Sequence, residues 1–203
     1  LSMQYRLRNE LRALGRDPDA PSFDLLTGDA DILPTHNARV RRAFERVLAG
    51  RGVAVHRNAE VVDVSATRLR TAGGEIVEAD EIIWVTRAGG ATWLRDTGLA
   101  LDADGFIQVA DTLQTVTDPM VFAAGDVASM VNHPREKAGV FAVRQGSPLA
   151  ENLRRSVEGG ALKAYRPQRR WLALISTGDR YAVASRGAIG VEGAWVWRWK
   201  DWI

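Results

Sequence analysis

The residue types best placed for ligand chemistry lie between Thr112 and Asp126, which reads Thr-Leu-Gln-Thr-Val-Thr-Asp-Pro-Met-Val-Phe-Ala-Ala-Gly-Asp. A turn at Asp118-Pro119 feeds the short apolar run Met120 to Ala124, which stops at Gly125-Asp126. The pattern predicts a buried strand that delivers a carboxylate at its C-terminal tip, where open α/β sheets place ligands. Gly125 would let a ligand approach the backbone closely. Asp126 could then accept hydrogen bonds from a polyol, roughly 1.5–3 kcal/mol each for an ionised acceptor. A strand followed by a simple Asx turn is the competing reading of the same residues.

The rest of the composition narrows the chemistry. The chain has no cysteine, which excludes a redox disulfide, a thiolate nucleophile or an iron–sulfur site within it. His36, His56 and His133 show no metal-ligand spacing, and His133 is expected on an exposed loop. No residue stands out as a general acid or base. At 203 residues there is room for one or two domains with a sizeable core. Hydrophobic residues at 46% and charged residues at 26% are ordinary for a globular protein. The formal net charge is +2. Arginines dominate the basic set, the lysines being Lys137, Lys163 and Lys200. The cluster Arg39-Val-Arg-Arg42 shares its segment with Glu45 and reads as a solvated helix face. No nucleic-acid-binding motif accompanies it, so no nucleic-acid partner is expected. No apolar run approaches the ~20 residues that span a bilayer.

Several elements must hold these residues in place. Met3, Leu7, Leu11 and Leu14 recur at helical spacing, and Gly15 ends the run. Phe23 to Thr27 reads as a strand. Asn37 can cap a helix carrying Val40, Phe44, Val47 and Leu48. Val53 to His56 is a strand, and Glu60 to Arg70 with Glu75 to Ala79 form a hairpin across Gly73-Gly74. Ile82 to Val85 reads as a fully apolar strand. Asp104-Gly105 marks a turn, and Gly159-Gly160 a helix stop. From Trp171 the pattern turns β-like: Leu172 to Ile175, Tyr181 to Ser185, and a third strand interrupted by glycines. The close Trp195-Val-Trp-Arg-Trp-Lys-Asp-Trp202 fits both strand and helix periods. A packed edge is the plainer reading of its tryptophans, and an interfacial anchor the alternative.

The Thr112–Asp126 stretch resembles the second FAD-binding motif of the two-dinucleotide-binding-domain flavoproteins, the pyridine nucleotide–disulfide oxidoreductases and type II NADH dehydrogenases. The resemblance implies that Asp126, after Gly125, holds the ribityl chain of FAD. Lys137-Ala-Gly-Val-Phe-Ala-Val-Arg-Gln-Gly146 resembles the helix start that follows in type II NADH dehydrogenases, beside the flavin and the quinone site. It implies cofactor contacts from Lys137, Ala138, Gly139 and Val140, with Phe141 and Gln145 near the ring face or acceptor pocket. Asp80 to Gly89 resembles the strand that closes the NAD domain. There Thr86 keeps its place, while Arg87 stands where the family has Gly. The family's ribose-binding acid falls by position on Thr27, with Asp29 two residues on as the substitute. Tyr165 to Asp179 resembles the flavoprotein module fused ahead of selenide, water dikinase.

No G-x-G-x-x-G fingerprint occurs. The expectation is therefore a C-terminal fragment of a longer protein, without the FAD-binding first half and the first NAD-domain strand. The implied fold is α/β: a partial Rossmann-like two-dinucleotide-binding-domain flavoprotein with a small C-terminal α+β domain. Residues 1–88 would be the remainder of the NAD-binding domain, 89–160 the last part of the FAD-binding domain, and 161–203 a small interface domain. The implied activity of the parent is hydride transfer from NAD(P)H to FAD and on to an acceptor such as quinone. The fragment alone is expected to be inactive, FAD-free and prone to form a homodimer. A cytoplasmic location follows, with peripheral contact at the inner face of the membrane as the variant. The alternative is a non-catalytic docking or regulatory module fused to, or partnering, selenide, water dikinase.

Overall fold

The computed structural model describes residues 1–86 and 89–202, so the expectation for Arg87 lies outside the described residues. The chain forms two compact units, Leu1–Trp84 together with the segment from Arg170 on, and Val85–Arg169.

The first unit opens on α1 (Ser2–Ala13), stopped at Gly15 with φ +67. The helix forms where its periodicity predicts, but the apolar stripe is not its buried face. Met3 and Leu14 are exposed, and the buried residue is Gln4, whose amide donates to the Arg51 carbonyl at 3.0 Å. β1 (Phe23–Leu26), α2 (Ala38–Gly50) and β2 (Val53–His56) make a βαβ unit, with Phe23 opposite Val53 in parallel register. Asn37 caps α2 as expected, its Oδ1 accepting from the N–H of Arg39 at 3.1 Å and Val40 at 3.2 Å. Val40, Ala43, Phe44 and Leu48 bury the helix.

The predicted hairpin is a three-stranded antiparallel meander: β3 (Val61–Val64), β4 (Arg68–Thr71) and β5 (Ile76–Glu78). The extra turn closes at Ser65, whose N–H donates to the Arg68 carbonyl at 2.9 Å. The predicted strand Ile82 to Val85 does not form: among the described residues no ladder reaches it, and Ile83, Trp84 and Val85 are exposed. An apolar run becomes a strand only where a neighbour supplies hydrogen-bond partners and covers its faces.

In the second unit, β6 (Ile107–Val109) pairs in parallel with β7 (Ala128–Met130). Leu94, Ile107, Val109, Leu113, Ala123 and Met130 form its core. The predicted buried strand Met120 to Ala124 does not form, and Met120 is exposed. The segment keeps an isolated bridge between Gln114 and Phe122 and a bond from the Ala123 N–H to the Leu113 carbonyl at 3.0 Å. The ladder forms instead just beyond Gly125-Asp126, in β7. The helix α3 (Gly139–Val157) follows and ends at Gly159, φ +71. Asn152, fully buried, ties α3 down by donating to the carbonyls of Thr112 (2.9 Å) and Lys163 (2.8 Å) and accepting from the Lys163 N–H (2.9 Å).

The chain then returns to the first unit. β8 (Ala173–Ser176), β9 (Ala182–Arg186) and β10 (Ile189–Gly193) form an antiparallel sheet in the order β10-β9-β8, and α4 (Ala194–Trp202) completes it. Residues 161–203, expected as one small domain, are thus divided: those from Arg170 join Leu1–Trp84, and 161–169 lie in the second unit. β9 shows why. Val183 packs with Val40 and Phe44 of α2, whereas Ala182 and Ala184 pack with Val196 of α4. Alternate side chains point to opposite faces of a strand, so the sheet is covered by α2 on one side and α4 on the other. Trp195, Trp199 and Trp202 stay exposed.

Candidate functional site

The Gly125-Asp126 pair sits at the start of a 3-10 turn, Gly125–Val127, in the second unit. Gly125 adopts φ +74, a left-handed conformation that L side chains resist. Its N–H donates to Gln145 Oε1 at 2.6 Å. Asp126 is exposed on the turn. The turn and the segment leading into α3 line a small open recess of about 20 Å³, which includes Gly125, Asp126, Ser129, Lys137, Ala138 and Phe141.

Four of the sequence-predicted residues, Gly125, Asp126, Lys137 and Ala138, therefore share this recess. Gly139 and Val140 form the first turn of α3 directly behind Ala138. Ala138 provides no side-chain cap, though its carbonyl accepts from the Phe141 N–H at 2.9 Å, so the N–H groups of Gly139 and Val140 meet no capping side chain. Such an end carries roughly half a positive charge. Lys137 is half-buried. Its Nζ donates to the Ala128 carbonyl at 2.6 Å and lies 3.9 Å from the centroid of the Phe106 ring. Burial lowers its pKa, opposed by the carboxylates of Asp102, Asp126 and Asp104.

No local motif in the sequence marks Asp102, Phe106 or Ser129. Burial alone would raise the Asp102 carboxyl. Hydrogen bonds from Ser129 and from the backbone N–H of Phe106 and Asp104, with Lys137 nearby, outweigh it and hold the pKa below the usual value. The Asp104-Gly105 turn was visible in the sequence, but nothing local showed that it faces Lys137. Gln145 is 5% exposed and bonded to Gly125. His133 lines the recess edge, 3.7 Å from Asp111.

The remaining two predicted residues lie elsewhere. Thr86 sits in the exposed irregular segment before the undescribed residues. Asp29 belongs to the first unit, on the loop after β1, with its N–H donating to Thr27 Oγ1 at 3.2 Å and its carbonyl accepting from the Asn58 N–H at 3.0 Å. Its carboxylate end is exposed.

The recess suits an anionic, hydroxyl-rich group. It combines the uncapped helix start, a lysine, an exposed carboxylate for hydroxyls and the buried Nε of Arg135, which has no partner. A Cβ at Gly139 would meet nothing within 4 Å, so the helix entrance is open. Among the described residues no group of three His, Cys, Asp or Glu is placed to hold a metal. No described helix is long and apolar enough to cross a membrane.

A family model for pyridine nucleotide-disulphide oxidoreductase matches residues 15–147. A type II NADH:quinone oxidoreductase of Haemophilus influenzae is 28% identical over 173 residues, covering 80% of this chain and 38% of that protein. An NADH dehydrogenase-like protein of Mycobacterium tuberculosis is 28% identical over 109 residues, 54% of this chain and 27% of its own. The chain thus spans well under half the length of these curated relatives. Among solved structures, the sulfide:quinone oxidoreductase of Aquifex aeolicus superposes with a TM-score of 0.77 at 17% identity, over 98% of this chain and 52% of that one. An FAD-dependent pyridine nucleotide-disulphide oxidoreductase from Desulfovibrio vulgaris gives 0.60 at 24% identity, over 81% and 42%. These likenesses concern the fold, and the present chain has no cysteine for thiol chemistry of its own. The α/β fold and the family match over residues 15–147 agree, and the chain belongs to the pyridine nucleotide-disulphide oxidoreductase family.

Proposed function

We propose that this chain carries part of the FAD site of an NAD(P)H oxidoreductase. The observation that carries the reading is the Gly125-Asp126 turn set in one recess with the uncapped start of α3. FAD bound there would accept hydride from the nicotinamide and pass electrons to an acceptor. Asp126 would accept hydrogen bonds from ribityl hydroxyls. The N–H groups at Ala138, Gly139 and Val140, with Lys137 nearby, would favour negative charge at the helix start. Asp29, exposed after β1, would hold ribose hydroxyls of NAD(P)H, and Thr86 would border the nicotinamide domain's last segment. Residues 1–88 would serve the nicotinamide cofactor and 89–160 the flavin.

Quinone is the proposed acceptor, supported by the name of the Haemophilus influenzae relative. The exposed Trp195, Trp199 and Trp202, beside Arg198 and Lys200, favour contact between α4 and a membrane surface. Co-sedimentation of the full-length protein with anionic vesicles tests this contact, and vesicles that leave it in the supernatant refute it.

The visible spectrum of the full-length protein tests the main reading. Bound FAD absorbs near about 450 nm, and NADH or NADPH should bleach it. A colourless protein, or a flavin that neither nucleotide reduces, would overturn the proposal.

A further inference from the structure

The 3-10 turn that carries Asp126 is held at both ends by side chains from one neighbouring segment. At its start the Gly125 N–H donates to Gln145 Oε1 at 2.6 Å. Just past its end the Ala128 carbonyl accepts from Lys137 Nζ at 2.6 Å. Gln145 lies in the second turn of α3, and Lys137 lies two residues before that helix begins. Asp126 is enclosed between these two fixed points in the chain and is itself exposed.

Both anchors are fixed in turn. Gln145 is 5% exposed. Lys137 stands 3.9 Å from the centroid of Phe106, with Asp102, Asp126 and Asp104 balancing its charge. The turn has little of its own to set its direction. It is three residues long, begins at a glycine with φ +74, and closes with the bond from the Ala128 N–H to the Gly125 carbonyl. Short 3-10 segments are weakly stable by themselves, and glycine adds backbone freedom.

We propose that Gln145 and Lys137 are positioning residues that clamp this turn and so set the Asp126 carboxylate for a polyol ligand. The proposal rests on the reading of Asp126 as the acceptor for the ribityl hydroxyls of FAD. Besides placing charge near the helix start, Lys137 then acts through the Ala128 carbonyl, and Gln145 through the Gly125 N–H. The clamp gives Gln145 a role other than forming a ring face or acceptor pocket.

The experiment removes FAD from the full-length protein and titrates it back by flavin fluorescence. The variants are Asp126→Ala, Gln145→Met, Lys137→Met, Lys137→Arg and the double variant Asp126→Ala/Gln145→Met. Asp126→Ala and Gln145→Met should each weaken FAD binding on the order of ten- to a hundredfold. The double variant should bind about as weakly as the weaker single, because both losses pass through Asp126. Lys137→Arg should restore most of the affinity that Lys137→Met loses. Thermal unfolding of each apo-protein checks folding. If Gln145→Met does not fold, Gln145→Asn, one methylene too short to reach Gly125, should lose affinity in its place.

Unchanged FAD affinity in Asp126→Ala would sink the ribityl reading itself. A weakened Asp126→Ala alongside parent-like Gln145 and Lys137 variants would leave that reading standing and overturn the clamp. So would a double variant whose losses multiply in full, or a Lys137→Arg variant that binds FAD no better than Lys137→Met.

Discussion

Arg51 fastens the C-terminal sheet to the rest of the first unit, and its removal should be measurable in this chain alone. The residue follows α2. Its Nη1 donates to the Thr177 carbonyl at 2.7 Å, its Nη2 pairs with Asp179, and its own carbonyl accepts from Gln4 at 3.0 Å. Thr177 is fully buried, so Arg51→Met leaves a buried carbonyl without its charged donor, a cost of about 1.5–3 kcal/mol. The pair with Asp179 adds up to about 1 kcal/mol, since that carboxylate is 37% exposed and solvent screens it. Methionine retains much of the apolar stem, so the expected loss is about 1.5–4 kcal/mol near neutral pH.

The pH dependence supplies a second check. Burial would raise the Asp179 pKa, but the hydrogen bonds from Thr177 and Arg51 outweigh it and lower it. A lowered carboxylate pKa contributes stability above the unfolded value of about 3.9 and loses it as pH falls through the folded one. The gap between parent and variant should therefore narrow below about pH 4. Urea unfolding followed by circular dichroism, with the fluorescence of the seven tryptophans as a second probe, reads both quantities. A loss below about 0.5 kcal/mol, or a gap that does not change with pH, would refute the reasoning.

Gly125→Ala should destabilise the second unit by about 1 kcal/mol, because φ +74 strains alanine while the reduced freedom of the unfolded chain offsets part of it. The new Cβ would lie 3.5 Å from the Ala142 Cβ, an ordinary contact, so a loss several times larger would show that packing governs the site. His56 bridges Asp24 and Glu75 at 2.8 Å each. The Asp24 hydrogen bond is the largest cause of its raised pKa, opposed by burial and aided by Glu75. Its contribution is complete below about pH 6.5 and disappears as pH rises through the folded value. His56→Gln should therefore cost more at about pH 5.5 than at about pH 9, and equal losses in urea unfolding would contradict this. Asp29→Ala in the full-length protein should raise the NADH KM roughly tenfold or more, and an unchanged KM would remove Asp29 from the nicotinamide site. β1 and β2 form a two-stranded parallel sheet, and such sheets carry open edges. Sedimentation should show self-association of the isolated chain, and a compact monomer at all concentrations would rule it out.

The candidate site was half legible in the sequence. Gly125-Asp126 and the Lys137–Gln145 helix start were visible as motifs, because a glycine turn and a helix entrance are written in adjacent residues. The partners that orient them were not. Asp102 and Phe106 meet Lys137, and Ser129 meets Asp102, where β6 pairs with β7, and Gln145 reaches Gly125 across 20 residues. Nothing in the local composition distinguishes a glutamine that bonds a backbone N–H from one that faces a ligand.

By itself the sequence determined the elements whose signals are local. α2 follows from its Asn37 cap and apolar spacing, β1 and β2 from short apolar runs between turn residues, and β8 to β10 from alternation broken at Gly178 and Gly187. Tertiary structure decided what depends on distant partners. Ile82 to Val85 has strand composition but gains no ladder, whereas Ala128–Met130 becomes a strand because Ile107–Val109 lies beside it. The alternating faces of β9 send the C-terminal sheet against α2, a contact fastened by Arg51 and Thr177 across 126 residues. Hydrogen-bond ladders and packed faces are properties of pairs of segments, and one segment read alone does not contain its partner.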